Sequence, residues 1–169
     1  NVKASNIEDI IEFKPSYSLN ERTRAFLKIQ DGCSYNCTYC TIPMARGISR
    51  SGTIKETVGL IEKIIVKDIK EVVLSGINIG DFGIQHNQNL NMLIKELENI
   101  KNLVRYRISS IEPNLINHEL VDLFYHSKKW ARHLHIPLQS GSNKILVFPS
   151  VRSIAMAFPL ACQGNSAFS

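Results

Sequence analysis

The chain has 169 residues, enough to bury one hydrophobic core and, by size, to make one domain. Its formal net charge of +5 and pI near 9.1 are moderately basic, compatible with an anionic partner such as RNA and equally with a solvated lysine-rich surface. Apolar residues form an ordinary 44% and no run approaches the ~20 needed to cross a bilayer, so neither a disordered tail nor a membrane protein is expected.

The chain starts Asn1-Val2-Lys3, without Met or a basic-then-apolar leader, and reads as a cut in a longer protein. Residues 1–22 are polar, with Lys14-Pro15-Ser16 breaking any helix, and are expected to be a connector. "RAFLKIQ" (24–30) predicts a short buried strand ending at Asp31-Gly32. A helix is expected over 53–68, where Ile54, Val58, Ile61 and Ile65 recur at helical spacing and Thr53 with Glu56 suits a capping box. "EVVLSG" (71–76) is a second strand, 89–100 a second helix with Leu90, Leu93, Ile94 and Leu97 on one stripe, and 104–110 a third strand. Pro113 suits the start of a third helix over 114–127, and 132–141 predicts a fourth strand. Strand followed by helix, repeated, implies right-handed β-α units on a parallel sheet, as an open doubly wound sheet or a barrel. The core is expected over 23–146. Residues 147–169 carry one charge, Arg152, and lack the Lys, Glu and Asp that precede them; this atypical tail reads either as an irregular apolar segment packed on the core or, favoured by the composition shift, as a non-native continuation.

Polar and glycine residues gather after every predicted strand: Asp31-Gly32 and three cysteines, then "SGINIGDFG" (75–83), "SSIEP" (109–113) and "PLQSGS" (137–142). In parallel α/β folds that is the end where βα loops converge on ligands. Cys33, Cys37 and Cys40 form a C-x3-C-x2-C set in a chain with four cysteines. Such crowding makes no sensible disulfide framework and suits a reducing, cytoplasmic setting. Thiolates select zinc, Cu(I) or iron–sulfur clusters. A structural zinc site wants four ligands, and only His86 or the distant Cys162 offers a candidate fourth. A cubane cluster held by three cysteines keeps one iron open. On spacing alone an open-site cluster, a zinc site and inert or redox thiols all remain.

The cysteine spacing, with Tyr39 before the last Cys, resembles the signature of radical S-adenosylmethionine (SAM) enzymes. "LKIQDGCSYNCTYCTIPMARGISRS", "VVLSGINIGDFG", "SSIEP" and "HIPLQSGS" occur in the order seen in the methylthiotransferase branch, and "GINIGDFG" is most similar to the tRNA N6-threonylcarbamoyladenosine methylthiotransferases. The resemblance covers about residues 22 to 146. It implies a partial radical SAM (β/α)6 barrel with about four β-α units, truncated on the C-terminal side. It implies a [4Fe–4S] cluster on Cys33, Cys37 and Cys40 whose open iron chelates SAM. The reduced cluster then cleaves SAM to a 5′-deoxyadenosyl radical, so no side chain is itself the catalyst. Around SAM it places Tyr39, Gly76, Asn78, Ser110, Glu112, Gln139 and Ser140, and it makes Arg46 and Arg50 candidates for substrate or phosphate contacts. His135, inside "HIPLQSG", is a weaker candidate; like His133, it reads first as a packed strand residue. The implied reaction adds a methylthio group to N6-threonylcarbamoyladenosine beside the anticodon of tRNA. Alternatives are isopentenyladenosine in tRNA, a ribosomal-protein aspartate, or a non-catalytic zinc- or cluster-binding RNA module. The implied partners are tRNA and a reductant such as flavodoxin or ferredoxin, with no membrane. The family's N-terminal domain, with a second [4Fe–4S] cluster, and its C-terminal RNA-binding domain are not in this sequence, so turnover by this chain alone is not expected. Met44 stands where relatives usually carry an aromatic residue.

Overall fold

A computed structural model describes residues 7, 12–19, 23–35, 37, 40–138 and 140–142. Expectations on Tyr39, Gln139, Cys162 and the tail 147–169 lie outside them. Strands β1 (Ser16–Ser18), β2 (Arg24–Lys28), β5 (Glu71–Ser75) and β6 (Arg105–Ile108) form one sheet in the order β1-β2-β5-β6. The pairs β2–β5 and β5–β6 are parallel, in register Phe26↔Val73↔Arg107, as the strand–helix alternation predicts. Within the stretch read as connector, β1 pairs antiparallel with β2, Tyr17 opposite Leu27. A small second sheet joins β3 (Gln30–Asp31) to β4 (Arg50–Ser51).

Helices α2 (Ile54–Ile65), α3 (Leu90–Asn99) and α4 (His118–His126) cover one face of the main sheet; a short α1 (Ile42–Arg46) lies between β3 and β4. Alternation along the strands decides which side chains meet the helices. Ala25, Leu27, Val72, Leu74, Tyr106 and Ile108 join Ile61, Ile64, Leu93, Ile94, Leu97, Leu120 and Phe124 in one buried cluster. Each fully buried Leu or Ile there contributes roughly 1.5–3 kcal/mol. Helix starts follow side-chain caps. Thr53 and Glu56 close the expected capping box on α2, and Asn89 accepts the Met92 N–H at the start of α3.

Two expectations shift. The third helix does not begin at Pro113. Pro113–Leu115 is a single 3-10 turn, and α4 starts only after Asn117, whose side chain accepts the Leu120 N–H at 2.8 Å. Residues 132–141 make no continuous strand among the described residues; the parallel bridge Ser110↔His135 alone falls there, with Tyr106↔Trp130 just before it. Arg132 sits at φ 48, which interrupts an extended run, and Pro137 has no N–H to give a ladder.

The sheet face turned away from the helices carries an ion cluster. In register, Glu71 lies between Arg24 and Arg105. Its carboxylate accepts from Arg107 Nε at 2.7 Å, with Arg24 Nε at 3.6 Å and Arg105 Nη1 at 4.0 Å. Burial alone would raise this carboxyl. The Arg107 hydrogen bond and the charges of Arg107, Arg24 and Arg105 outweigh it, so the group titrates below the usual range. A depressed folded-state pKa contributes stability above the unfolded value, and that contribution is lost as pH falls through the folded one. Glu71→Gln is therefore expected to cost roughly 2 kcal/mol near neutral pH. The deficit should shrink toward zero in acid. Urea unfolding of both proteins across that pH range measures it, and an equal deficit at every pH would contradict the assignment.

Candidate metal and cofactor site

At the carboxyl end of β2 the chain makes a closed excursion. Ile29 donates its N–H to the Ser75 carbonyl at 2.9 Å, and β3 then pairs with β4, Gln30 opposite Ser51 and Asp31 opposite Arg50. Everything between, including all three cysteines, hangs from that two-stranded base. Asp31 anchors it. Its carboxylate meets Arg50 Nη2 at 3.2 Å, Lys28 Nζ at 3.4 Å and Arg46 Nη1 at 3.7 Å, and accepts the Gly32 N–H at 2.9 Å. Gly32 has φ 72, and a Cβ there would lie 2.1 Å from the Ile48 carbonyl oxygen. The return segment locks onto the outgoing one: Cys33 donates its N–H to Gly47 O at 3.0 Å, and Ser49 donates to Ser34 Oγ at 3.1 Å.

The three thiols are half-buried, and the Cys40 N–H reaches the Cys37 carbonyl at 3.0 Å. Burial raises the Cys33 thiol pKa against the pull of the Tyr35 backbone N–H; the carboxylate of Asp81 and the other two sulfurs add to the rise. Burial, then Cys40 and Glu112, raise Cys37. The sulfurs thus lie within electrostatic reach of one another and of two carboxyls. Among the described residues no three His, Cys, Asp or Glu side chains already stand in a metal-holding arrangement.

Loops after the second and third parallel strands complete the surroundings. Gly76 lies so close to Gln30 that a Cβ would come within 2.8 Å of its Oε1. Asn78 is buried; its Oδ1 accepts the Glu112 N–H at 3.4 Å, while its Nδ2 has no partner. Glu112 Oε2 and Ser109 Oγ are also buried without partners. Burial, then Asp81, raises the Glu112 carboxyl; burial also raises Asp81, opposed by the Ser49 hydroxyl and by the Asn78 amide, which lies toward that carboxylate without reaching hydrogen-bond geometry. Ser110 accepts the Ile79 N–H through its carbonyl, and Asn114 Nδ2 donates to the Tyr35 hydroxyl at 2.8 Å, tying the third loop to the cysteine loop.

Cys33, Cys37, Cys40, Gly76, Asn78, Ser110 and Glu112 are thus gathered at one end of the sheet. Ser140 is not joined to them by any hydrogen bond among the described residues; its hydroxyl accepts the Ser142 N–H. Arg46 is exposed at the edge of the loop, with one guanidinium nitrogen 3.7 Å from Asp31, while Arg50 departs from its expected role. Its guanidinium is buried and taken up by Asp31 and by the carbonyls of Arg46 (2.6 Å) and Ile48 (3.2 Å), so it braces the loop instead of facing solvent. His133 and His135 are exposed, and His86 is engaged with the Ser51 carbonyl at 3.0 Å. Gln30, Tyr35, Asp81 and Ser109 also line these loops and belong to none of the residues expected at the site. Gln30 did carry a signal, as an amide at the end of the predicted buried strand 24–30, just before Asp31-Gly32.

The donor chemistry fits an iron–sulfur cluster with one position left open. Three soft thiolates come from one loop, where a closed cluster takes four. A donor and an acceptor without partners, Asn78 Nδ2 and Glu112 Oε2, are buried among the same loops and match a small ligand that offers both carboxylate and amine.

Comparison with known proteins agrees. The model of the "Radical SAM superfamily" matches residues 27–155. The chain is 42% identical over 131 residues to the threonylcarbamoyladenosine tRNA methylthiotransferase MtaB of Bacillus subtilis (strain 168), covering 76% of this chain and 29% of that protein. It is 37% identical over 130 residues to the MtaB of Thermotoga maritima, covering 76% and 30%. It is 37% identical over 123 residues to the tRNA-2-methylthio-N(6)-dimethylallyladenosine synthase of Thermodesulfovibrio yellowstonii, covering 73% and 28%. The chain thus spans about three-tenths of the length of these relatives. Among solved structures, the radical S-adenosylmethionine methyltransferase TsrM of Kitasatospora setae, with cobalamin and a [4Fe-4S] cluster bound, shares the fold. Its TM-score is 0.58 at 16% identity, over 72% of this chain and 23% of that one. Enzymes of the matched superfamily work with a [4Fe–4S] cluster and SAM. The cysteine loop, the parallel sheet and the match over most of its length make this chain a member of the radical SAM superfamily.

Proposed function

We propose that the chain is the central catalytic segment of a radical SAM methylthiotransferase acting on N6-threonylcarbamoyladenosine beside the anticodon of tRNA, in the cytoplasm. The observation that carries the reading is the buried, unpartnered pair Asn78 Nδ2 and Glu112 Oε2 set behind a three-cysteine loop. Cys33, Cys37 and Cys40 would hold the cluster. Asn78 and Glu112, with Gly76 giving close backbone approach and Ser110 at the adjacent strand end, would hold SAM; Tyr39, Gln139 and Ser140 stay candidates for the same cavity. When bound, cluster and SAM supply the one-electron chemistry that the side chains cannot. The residues of the chain orient, exclude water and complement charge. Arg46, exposed beside the cysteine loop, suits a phosphate of the substrate RNA. The relatives named for threonylcarbamoyladenosine support that nucleoside over dimethylallyladenosine.

The test is anaerobic reconstitution with iron and sulfide, followed by EPR with and without SAM and assay of 5′-deoxyadenosine after reduction. SAM is expected to shift the cluster signal and to be cleaved. A site that takes up zinc instead, or a cluster indifferent to SAM, overturns the reading. Methylthiolation itself is to be assayed with the sulfur-supplying N-terminal domain and a low-potential donor present, on tRNA carrying either modified adenosine.

A further inference from the structure

Resting on that reading, we infer that Gln30 is the positioning residue that sets the cysteine loop against the loop that receives SAM. Gln30 is wholly buried, and both ends of its amide are used. Nε2 donates to Gly32 O at 2.8 Å, Ser49 Oγ at 2.9 Å and Asp31 O at 3.1 Å, the two ends of the cysteine excursion. Oε1 accepts the N–H groups of Ile77 and Asn78, both at 2.9 Å. Only this orientation satisfies the neighbours, because two carbonyls need donors and two N–H groups need an acceptor. One planar amide therefore spans two loops whose Cα positions are more than forty residues apart in sequence.

The tie has a specific consequence. The Asn78 backbone is held by Gln30 while its side chain leaves Nδ2 unpartnered, so the amide of Gln30 fixes where that free donor stands relative to Cys33. Gly76 completes the device, because any side chain there would strike Gln30 Oε1. A Gln is needed, since a carboxylate cannot donate to the cysteine loop and an aliphatic chain can do neither job.

The two halves can be separated by Gln30→Met and Gln30→Glu in the chain loaded anaerobically with iron and sulfide. Three readouts are used: iron and sulfide per chain, SAM affinity by equilibrium dialysis, and hydrogen exchange of the Ile77 and Asn78 amides before loading. Gln30→Met is expected to keep its cluster, to bind SAM about tenfold more weakly, and to exchange those two amides about tenfold faster. Gln30→Glu keeps the acceptor, so the two amides stay protected, while loading falls because its carboxylate faces the carbonyls of Asp31 and Gly32. Gln30→Met with unchanged SAM affinity and unchanged protection overturns the inference. So does faster exchange spread evenly over the whole chain, the mark of general destabilisation. If Gln30→Met does not fold, protection lost at Ile77 and Asn78 in Gln30→Glu overturns it. If the parent chain takes up neither cluster nor SAM, the reading of function fails, and the exchange data still decide whether Gln30 holds the two loops.

Discussion

Each of Cys33→Ala, Cys37→Ala and Cys40→Ala is expected to leave a protein that folds but carries little iron or sulfide and cleaves no SAM above background. The expectation follows from where the thiols sit. All three hang outside the buried cluster of the core, on a loop held by β3, β4 and Asp31, so removing a sulfur leaves the Leu27–Leu74–Ile108 packing intact. Melting temperature before loading should therefore change little. Cluster content has no such buffer. With three ligands, losing one leaves two, and the loss should exceed the 10–100-fold typical of supporting residues around a metal. Iron and sulfide analysis with EPR measures it. A different pattern would separate the chemistries: a zinc site completed by Cys162 would also lose metal in Cys162→Ser, whereas the open cluster would not. Normal cluster content in any of the three single variants would refute the assignment of that residue.

Gly32→Ala is expected to have the second-largest effect, and through the backbone alone. The residue occupies a left-handed conformation, φ 72, worth about 1–2 kcal/mol against any L side chain. Its added methyl would also have to share space with the Ile48 carbonyl, 2.1 Å away, and with Gly47 O at 2.7 Å. Both contacts are to backbone, which cannot rotate aside. With the 1–3 kcal/mol typical of overpacking, the total is roughly 3 kcal/mol or more. Part of that falls on the cysteine loop itself, because the clash opens the Cys33–Gly47 hydrogen bond that closes it. Urea unfolding should show the loss, and reconstitution should show lower iron uptake than stability alone predicts. Gly59→Ala gives the contrast. It lies in α2 at an ordinary φ, and beyond its own turn of helix the added carbon meets nothing within 4 Å, so the substitution should stabilise by about 0.5–1 kcal/mol. Equal effects at the two glycines would mean that the loop geometry around Gly32 is not what constrains it.

Local chemistry determined much of this protein without reference to its fold. The apolar stripe of Leu90, Leu93, Ile94 and Leu97, the capping box at Thr53 and Glu56, and the run of valines after Glu71 each specify an element through neighbours close in sequence. The three cysteines gather soft thiols on one short loop by spacing, without choosing between an open cluster, zinc and inert thiols. Alternation of strand and helix then leaves a parallel sheet with its loops at one end. What depended on tertiary structure was every property set by residues far apart in the chain. Pro113 promised a helix start, but Asn117 supplied the cap that α4 uses. Arg50 read as a cation for an anionic partner, yet Asp31, nineteen residues earlier, claims its guanidinium. Gln30 looked like one more polar residue at a strand end, and only the close approach of Gly76 and Asn78 made it the link between two loops. A charge or an amide has no fixed role in sequence, because burial and the partner it meets decide whether it binds a ligand or holds the fold, and both are consequences of long-range packing.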